Sequence, residues 1–420
     1  MTSMKSLAAG ARTAQSELAA STSTQRAKAL RWMAKAVRKS GNRVLAANRK
    51  DLARARVKGV SEAFLDRLRL SDRRLEEAVQ AVEEFSRRED LLGETIEAWT
   101  TSAGLRIRKV RVPLGVVLLV FEARPLVCLE AAMLALKAGN ALLLRPSRDA
   151  ENSCRELIAC VRSALKHAGL SADCVALVPP VGGKRRLHEL LALHGLIDVV
   201  IPRGGASFID WVRSHAKIPV IETGAGNCHV YVDASADASA NLRQALAILV
   251  NAKTSRPSVC NAAEKLLVHK AIARKFLPVA VAALRERGVR VHGCERSRKL
   301  VKGLLRATEA DWFKEYLGLE IAVKVVDSVD EAIAHINRYS THHSEAICAK
   351  DRKALRRFLA GVDSAAVYAN ASTRFSDGGC FGFGGEIGIS TQKLHARGPM
   401  AERELTSYKY VVEGKGQVRT

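Results

Sequence analysis

The sequence predicts an α/β protein of two doubly wound lobes carrying a small hairpin, and three observations point there. Short apolar runs that read as buried strands (VPLGVVLLVF, ALLLRPS, LIDVVIPRGG) alternate with helical stretches, one unit every ~20–30 residues. The alternation resumes after a glycine-rich break, PVIETGAGNCHVYVD, with strands EKLLVH, VRVHG, IAVKVVD, EAICAK and AAVYAN. The chain has 420 residues, 48% of them apolar, enough for two cores.

Each element has a local reason. Residues 5–90 contain strong helix formers, no proline and an amphipathic repeat, so consecutive helices are expected. The opening residues read as the first of these helices, with a transit peptide as the other option and no secretory signal. ETIEAWTTSAGLRIRKVRV, 94–112, alternates like an exposed hairpin. LEAAMLALKAG is a helix stopped by Gly139, and ENSCRELIACVRSALKHAG and KRRLHELLALHG are the next two. The end, ELTSYKYVVEGKGQVR, reads as an extended tail.

Sixty-seven Lys and Arg against 43 Asp and Glu give a net charge of +24. Only 5% of residues are aromatic and the basic residues are spread along helices, so nucleic-acid binding is disfavoured and anionic small molecules are favoured. No stretch is long and apolar enough for a membrane helix. Nine cysteines in no metal-like spacing point to a reducing, cytoplasmic setting. Cys128, Cys154 and Cys160 lie in apolar patterns and read as small core residues. No metal site is expected, and His229, His335 and His395 read as hydrogen-bonding residues.

One cysteine differs. Cys260 lies in RPSVCNAAEKLLVH, on a polar turn before a buried strand, with Lys253 and Arg256 nearby and Asn261 as a donor beside it. A nucleophilic thiol needs partial exposure, nearby positive charge and oxyanion donors. The residues alone leave a catalytic and a structural cysteine both open. Gly204 and Gly205 sit between a strand and a helix, where backbone meets a pyrophosphate or simply turns. Arg145 and Ser147 end a buried strand and suit a phosphate, a surface arginine being the alternative. Glu222 ends a strand before two glycines, as a functional acid or a salt-bridged one. Residues 370–399 pack glycines, aromatics and hydroxyls into a long loop of the functional kind.

Taken together, RVPLGVV, FEARP, LKAGNALLLR, IDVVIPRGGA, PVIETGAGNCHVYVD, NAKTSRPSVCNAAEKLLVH and EIGISTQKLHARGPM resemble the γ-glutamyl phosphate reductase (glutamate-5-semialdehyde dehydrogenase) family of the aldehyde dehydrogenase superfamily, over nearly the whole chain. The resemblance implies NADP(H)-dependent reduction of L-glutamyl 5-phosphate to L-glutamate 5-semialdehyde through a thioacyl enzyme on Cys260, in proline biosynthesis. It implies catalytic roles for Cys260, Glu222, Arg124 and Asn261, and cofactor contacts from Arg145, Ser147, Gly204, Gly205 and Glu315. Asn370, Ser372, Thr373 and Arg374 become the candidates for the substrate head group. It implies an NADP-binding lobe of 1–93 and 113–225, a catalytic lobe of 226–395, and an oligomerisation arm and tail of 94–112 and 396–420. The partners implied are a homo-oligomer (dimer or tetramer) and a transient contact with glutamate 5-kinase.

The chain departs from the family pattern at three places. Glu122-Ala-Arg-Pro-Leu126-Val stands where Glu-Ser-Arg-Pro-Asn-Val is usual, Pro146-Ser147 replaces Gly-Gly, and Thr101-Ser-Ala-Gly-Leu105 replaces Arg-Pro-Asn-Gly-Leu. Strand-like alternation would aim Arg124 at the cavity of Cys260. Two other readings stay open: an acyl-phosphate or aldehyde dehydrogenase with a shifted substrate, and a catalytically weak basic paralogue that binds nucleic acid.

Overall fold

Parallel strands alternate with helices through most of the chain in the computed structural model, which describes residues 3–419. By its contacts the chain forms two compact units. The first runs to Thr223 and takes back Gly382–Gly388 and the segment from Met400 onward. The second comprises Gly224–Phe381 and Ile389–Pro399. No helix among the described residues is long and apolar enough to cross a membrane.

The first unit opens with α1 (Met4–Ala20), α2 (Ser23–Lys39), α3 (Gly41–Val57), α4 (Glu62–Leu68) and α5 (Asp72–Phe85). Side-chain caps set several starts: Ser3 accepts from the Ser6 amide, and Thr22 with Gln25 forms a capping box. β1 (Thr95–Thr100) and β2 (Arg106–Pro113) make the expected antiparallel hairpin. Then come β3 (Val116–Phe121), α6 (Val127–Lys137), β4 (Ala141–Pro146), α7 (Glu151–His167), β5 (Val175–Leu177), α8 (Gly183–Leu191), β6 (Val199–Arg203) and α9 (Ala206–His215). The four strands pair in parallel in the order β5-β4-β3-β6. All six residues of β3 and all six of β4 are buried, as the apolar runs Val116–Phe121 and Ala141–Leu144 require of central parallel strands. The chain steps from β3 to β4 and β5 on one side, then crosses to β6 on the other. The carboxyl ends of β3 and β6 therefore flank a topological switch point.

The second unit holds β7 (Cys228–Val232), α10 (Ser239–Thr254), β8 (Ala263–His269), α11 (Lys270–Arg285), β9 (Arg290–Gly293), α12 (Glu295–Leu300), β10 (Leu305–Arg306), α13 (Glu309–Phe313), β11 (Glu320–Val326), α14 (Val329–Tyr339), β12 (Ser344–Cys348), α15 (Arg352–Gly361) and β13 (Ala366–Ala369). Its sheet runs β10-β9-β11-β8-β7-β12-β13, all parallel, around a core that includes Val230, Leu266, Phe276 and Val323.

β14 (Gly388–Ser390) and β15 (Gly398–Met400) form a two-stranded ribbon, and β16 (Thr406–Glu413) ends the regular structure. β16 pairs antiparallel with β2 over eight residues, so the expected tail is the third strand of the hairpin sheet. The structure also draws the division between units differently from a single run of 226–395. Segment 382–388 packs within the first unit, where Arg88 donates to the Gly382 carbonyl at 2.8 Å. The limits 1 and 420 of the expected lobes lie outside the described residues.

Candidate functional site

Cys260 lies half-buried in the loop between α10 and β8, while Cys128, Cys154, Cys160, Cys174, Cys228 and Cys348 are buried. The second unit holds this loop from two directions. From one side Cys228 Sγ donates to the Cys260 carbonyl at 3.2 Å. Gly226 packs so closely that a Cβ there would fall 1.4 Å from that carbonyl oxygen. Only glycine fits.

From the other side comes the turn after β13. Asn261 Nδ2 donates to the Ser376 carbonyl at 2.8 Å and the Arg374 carbonyl at 3.3 Å. Thr373 Oγ1 donates to the Asn261 carbonyl at 2.7 Å. The Arg374 guanidinium donates to Asn261 Oδ1 and, at 3.1 Å, to Ser255 Oγ. Burial draws the Arg374 value down, Arg256 adds to that, and Cys260 opposes it, so two cations and the thiol share one neighbourhood. Ser372 accepts from the Arg374 amide at 3.3 Å and starts this turn. Asn370, at φ +55°, turns its amide onto Ala349 in both directions, at 3.0 and 2.9 Å. Asn370, Thr373 and Asn261 thus use their polar atoms to fix backbone.

A charged layer supports the loop from below. Glu315 accepts from the Gly226 amide at 2.7 Å, and burial raises its carboxyl. Glu264 and Lys253 form a fully buried pair at 3.0 Å. Lys265, equally buried, donates to Asn227 Oδ1 at 2.6 Å and to the Lys314 carbonyl at 2.7 Å. Burial brings Lys265 down to about 8 and lifts Glu264 to about 7. Such charges stay in a core only with partners, and each has one.

The first unit collects the other expected residues at the carboxyl edge of its sheet. Arg145, next to last in β4, donates to the Gly183 carbonyl at 2.9 Å, while its Nε is buried without a partner. Ser147 Oγ is likewise buried and unpartnered. Unused donors beside a switch point fit the oxygens of a ribose or phosphate. Gly204 and Gly205 lead into α9. Glu222 lies 3.9 Å from Arg213 Nε. Arg124 is half-buried in the turn before α6, and here the alternation argument fails. β3 ends at Phe121, Ala123 takes φ +50°, and Leu126 already caps the helix.

The chain as a whole is similar to known proteins. A model of the aldehyde dehydrogenase family matches residues 2–297. A γ-glutamyl phosphate reductase of Thermobifida fusca is 52% identical over 418 residues, 99% of this chain and 98% of the relative. The chain belongs to the aldehyde dehydrogenase family, within its γ-glutamyl phosphate reductase branch. It is an oxidoreductase. The crystal structure of the γ-glutamyl phosphate reductase of Thermotoga maritima superposes with a TM-score of 0.95 at 46% identity, covering both chains completely. An acetylating aldehyde dehydrogenase of Geobacillus thermoglucosidasius, 17% identical over 99% of this chain and 97% of its own, shares the fold at a TM-score of 0.71.

Sequence reasoning did not assign Cys228, Gly226, Glu122 or the buried Lys253–Glu264 and Lys265–Asn227 contacts. One signal was available for the last two. Glu264 and Lys265 are adjacent in a strand whose other residues, the terminal His269 apart, are apolar, so one of them had to face inward whatever the register.

Proposed function

We propose that this chain reduces L-glutamyl 5-phosphate to L-glutamate 5-semialdehyde and phosphate with NADPH, as the second step from glutamate to proline. The substrate follows the name borne by relatives about half identical over nearly the full length. The observation that carries the mechanism is Cys260 itself, half-buried on a loop pinned by Cys228, Gly226, Asn261 and Thr373.

The Cys260 thiolate bonds to the acyl carbon, the carbon–oxygen bond to phosphate breaks, and phosphate leaves with that electron pair. The Cys260 main-chain amide holds the developing oxyanion, and the family resemblance alone offers Arg124 as a second donor. When bound, NADPH would supply a hydride to the thioester carbon, and expulsion of the Cys260 thiolate would then give the aldehyde. Arg145, Ser147, Gly204, Gly205 and Glu315 would hold that cofactor, a role that the unpartnered Ser147 Oγ and Arg145 Nε support. Glu222 stands in the position of the superfamily's general base. Asn261 acts by positioning the loop, because its amide already serves Ser376 and Arg374. Arg374 is the charged member of the set assigned to the substrate, with Ser372, Thr373 and Asn370 shaping its turn. The setting is cytoplasmic, with a homo-oligomer and a transient contact with glutamate 5-kinase.

The test is the reverse reaction. Pyrroline-5-carboxylate, which stands in equilibrium with the semialdehyde, is supplied with phosphate and NADP, and NADPH absorbance is followed. NADPH should form only when phosphate is present. Formation without phosphate, or none at all, would overturn the reading.

A further inference from the structure

The switch point of the first unit already holds an anion that belongs to the chain. β3 ends at Phe121 directly opposite Arg203 of β6, so Glu122 leaves the sheet beside the Gly204–Gly205 turn. A Cβ built on Gly204 would lie 3.2 Å from the Glu122 carboxyl carbon and 3.3 Å from its Oε2. Burial raises the Glu122 carboxyl, and the Arg67 charge and the Gly205 amide, at the start of α9, pull it back towards the ionised form. A helix N-terminus attracts such a group through its unsatisfied amides and its dipole. A dinucleotide pyrophosphate at a switch point of this kind draws on the same amides and the same dipole.

One strand away the situation is reversed. Arg145 is 9% exposed and its Nε has no partner, and neither has the buried Ser147 Oγ. One part of the crevice therefore offers unused donors, while the other is closed by a carboxylate. Two anions at contact distance repel, and one amide cannot serve both fully. Glu122 is exposed as a residue, so it has room to leave the turn.

Resting on the reading that this chain uses NADPH, we propose that Glu122 is a built-in competitor for the cofactor's pyrophosphate. It caps the Gly204–Gly205 turn in the free enzyme and leaves it when the dinucleotide seats. Its carboxylate stabilises the free enzyme and weakens cofactor binding by the same interaction.

The test measures NADPH binding to the full chain by calorimetry, for wild type, Glu122→Gln and Glu122→Ala. Glutamine keeps the shape without the charge, and alanine removes the group. Both variants should bind NADPH at least about fivefold more tightly, the order expected for one charge at a helix N-terminus. Both should melt at lower temperature than wild type when free, with the gap closing at saturating NADPH. Equal affinity in all three proteins would overturn the proposal. Weaker binding by Glu122→Gln would also overturn it, and would make Glu122 a ligand of the cofactor. NADPH binding by none of the three would sink the cofactor reading itself, and this inference with it.

Discussion

Cys260 differs from the buried cysteines in what surrounds it. Cys348 lies inside a strand with its thiol pushed up to about 12 by burial, whereas Cys260 is half-buried beside Arg374. Cys260→Ser should keep the melting temperature and lower kcat to below about one-thousandth, since an alcohol is a far poorer nucleophile. Retention of about a tenth of the activity would rule out the covalent route. A second residue carries a pH signature. Glu345 is wholly buried on β12, and burial pushes its carboxyl from 4.5 up to about 8, against bonds from Ser340 and the His229 amide. The folded chain then holds a proton that the unfolded chain releases. This contribution is complete below about 4.5 and is lost as pH rises to about 8. His229 and His335, kept neutral by burial, act in the opposite direction below about 6.5. Tm should therefore fall between about pH 6.5 and 8, and Glu345→Gln should flatten that slope. Identical slopes in the two proteins would refute the assignment.

At the scale of elements, the cysteine loop owes its shape to two neighbours that touch it through backbone. Gly226, on the approach to β7, leaves no room for a side chain against the Cys260 carbonyl. Gly226→Ala must displace that carbonyl, and a shift of about 1 Å at a nucleophile costs on the order of a hundredfold in rate. We expect that loss in kcat, with a matching drop in the alkylation rate of Cys260, while the far-ultraviolet dichroism stays unchanged. The turn after β13 is the other neighbour. Asn261→Ala would leave the Ser376 and Arg374 carbonyls without their donor, destabilising the fold by about 1–3 kcal/mol. Urea unfolding would read this as a lower midpoint. An unchanged midpoint would mean that the clamp contributes nothing.

At the scale of the molecule, the charge of +24 favours small anions. With Arg145 at the end of β4, NADPH should exceed NADH in kcat/KM, and Arg145→Ala should reduce that preference about tenfold, acting mainly on NADPH. Equal use of both cofactors by the wild type would remove this role. The basic field adds that KM for phosphate in the reverse direction should rise with ionic strength.

The sequence by itself determined the order of elements and set the loop of Cys260 apart from the other cysteines. Periodicity and unbroken apolar runs are local properties, so β3, β4, β6 and the helices between them could be read directly. The polar turn around Cys260 was legible for the same reason, and so was the strand after it. What only the tertiary structure decided was which distant groups meet. Asn261 finds the carbonyl of Ser376, 115 residues on, and Cys228 finds that of Cys260, 32 residues on. Segment 382–388 returns to the first unit, and β16 returns to β2, where the pattern showed only a loop and a tail. Glu122 settles beside the Gly204–Gly205 turn, which local reading left open between a phosphate site and a plain turn. Pairings of this kind depend on the packing of whole sheets, which brings separate strand ends together. A window of neighbouring residues carries the propensity of each end, but not the identity of the end it will face.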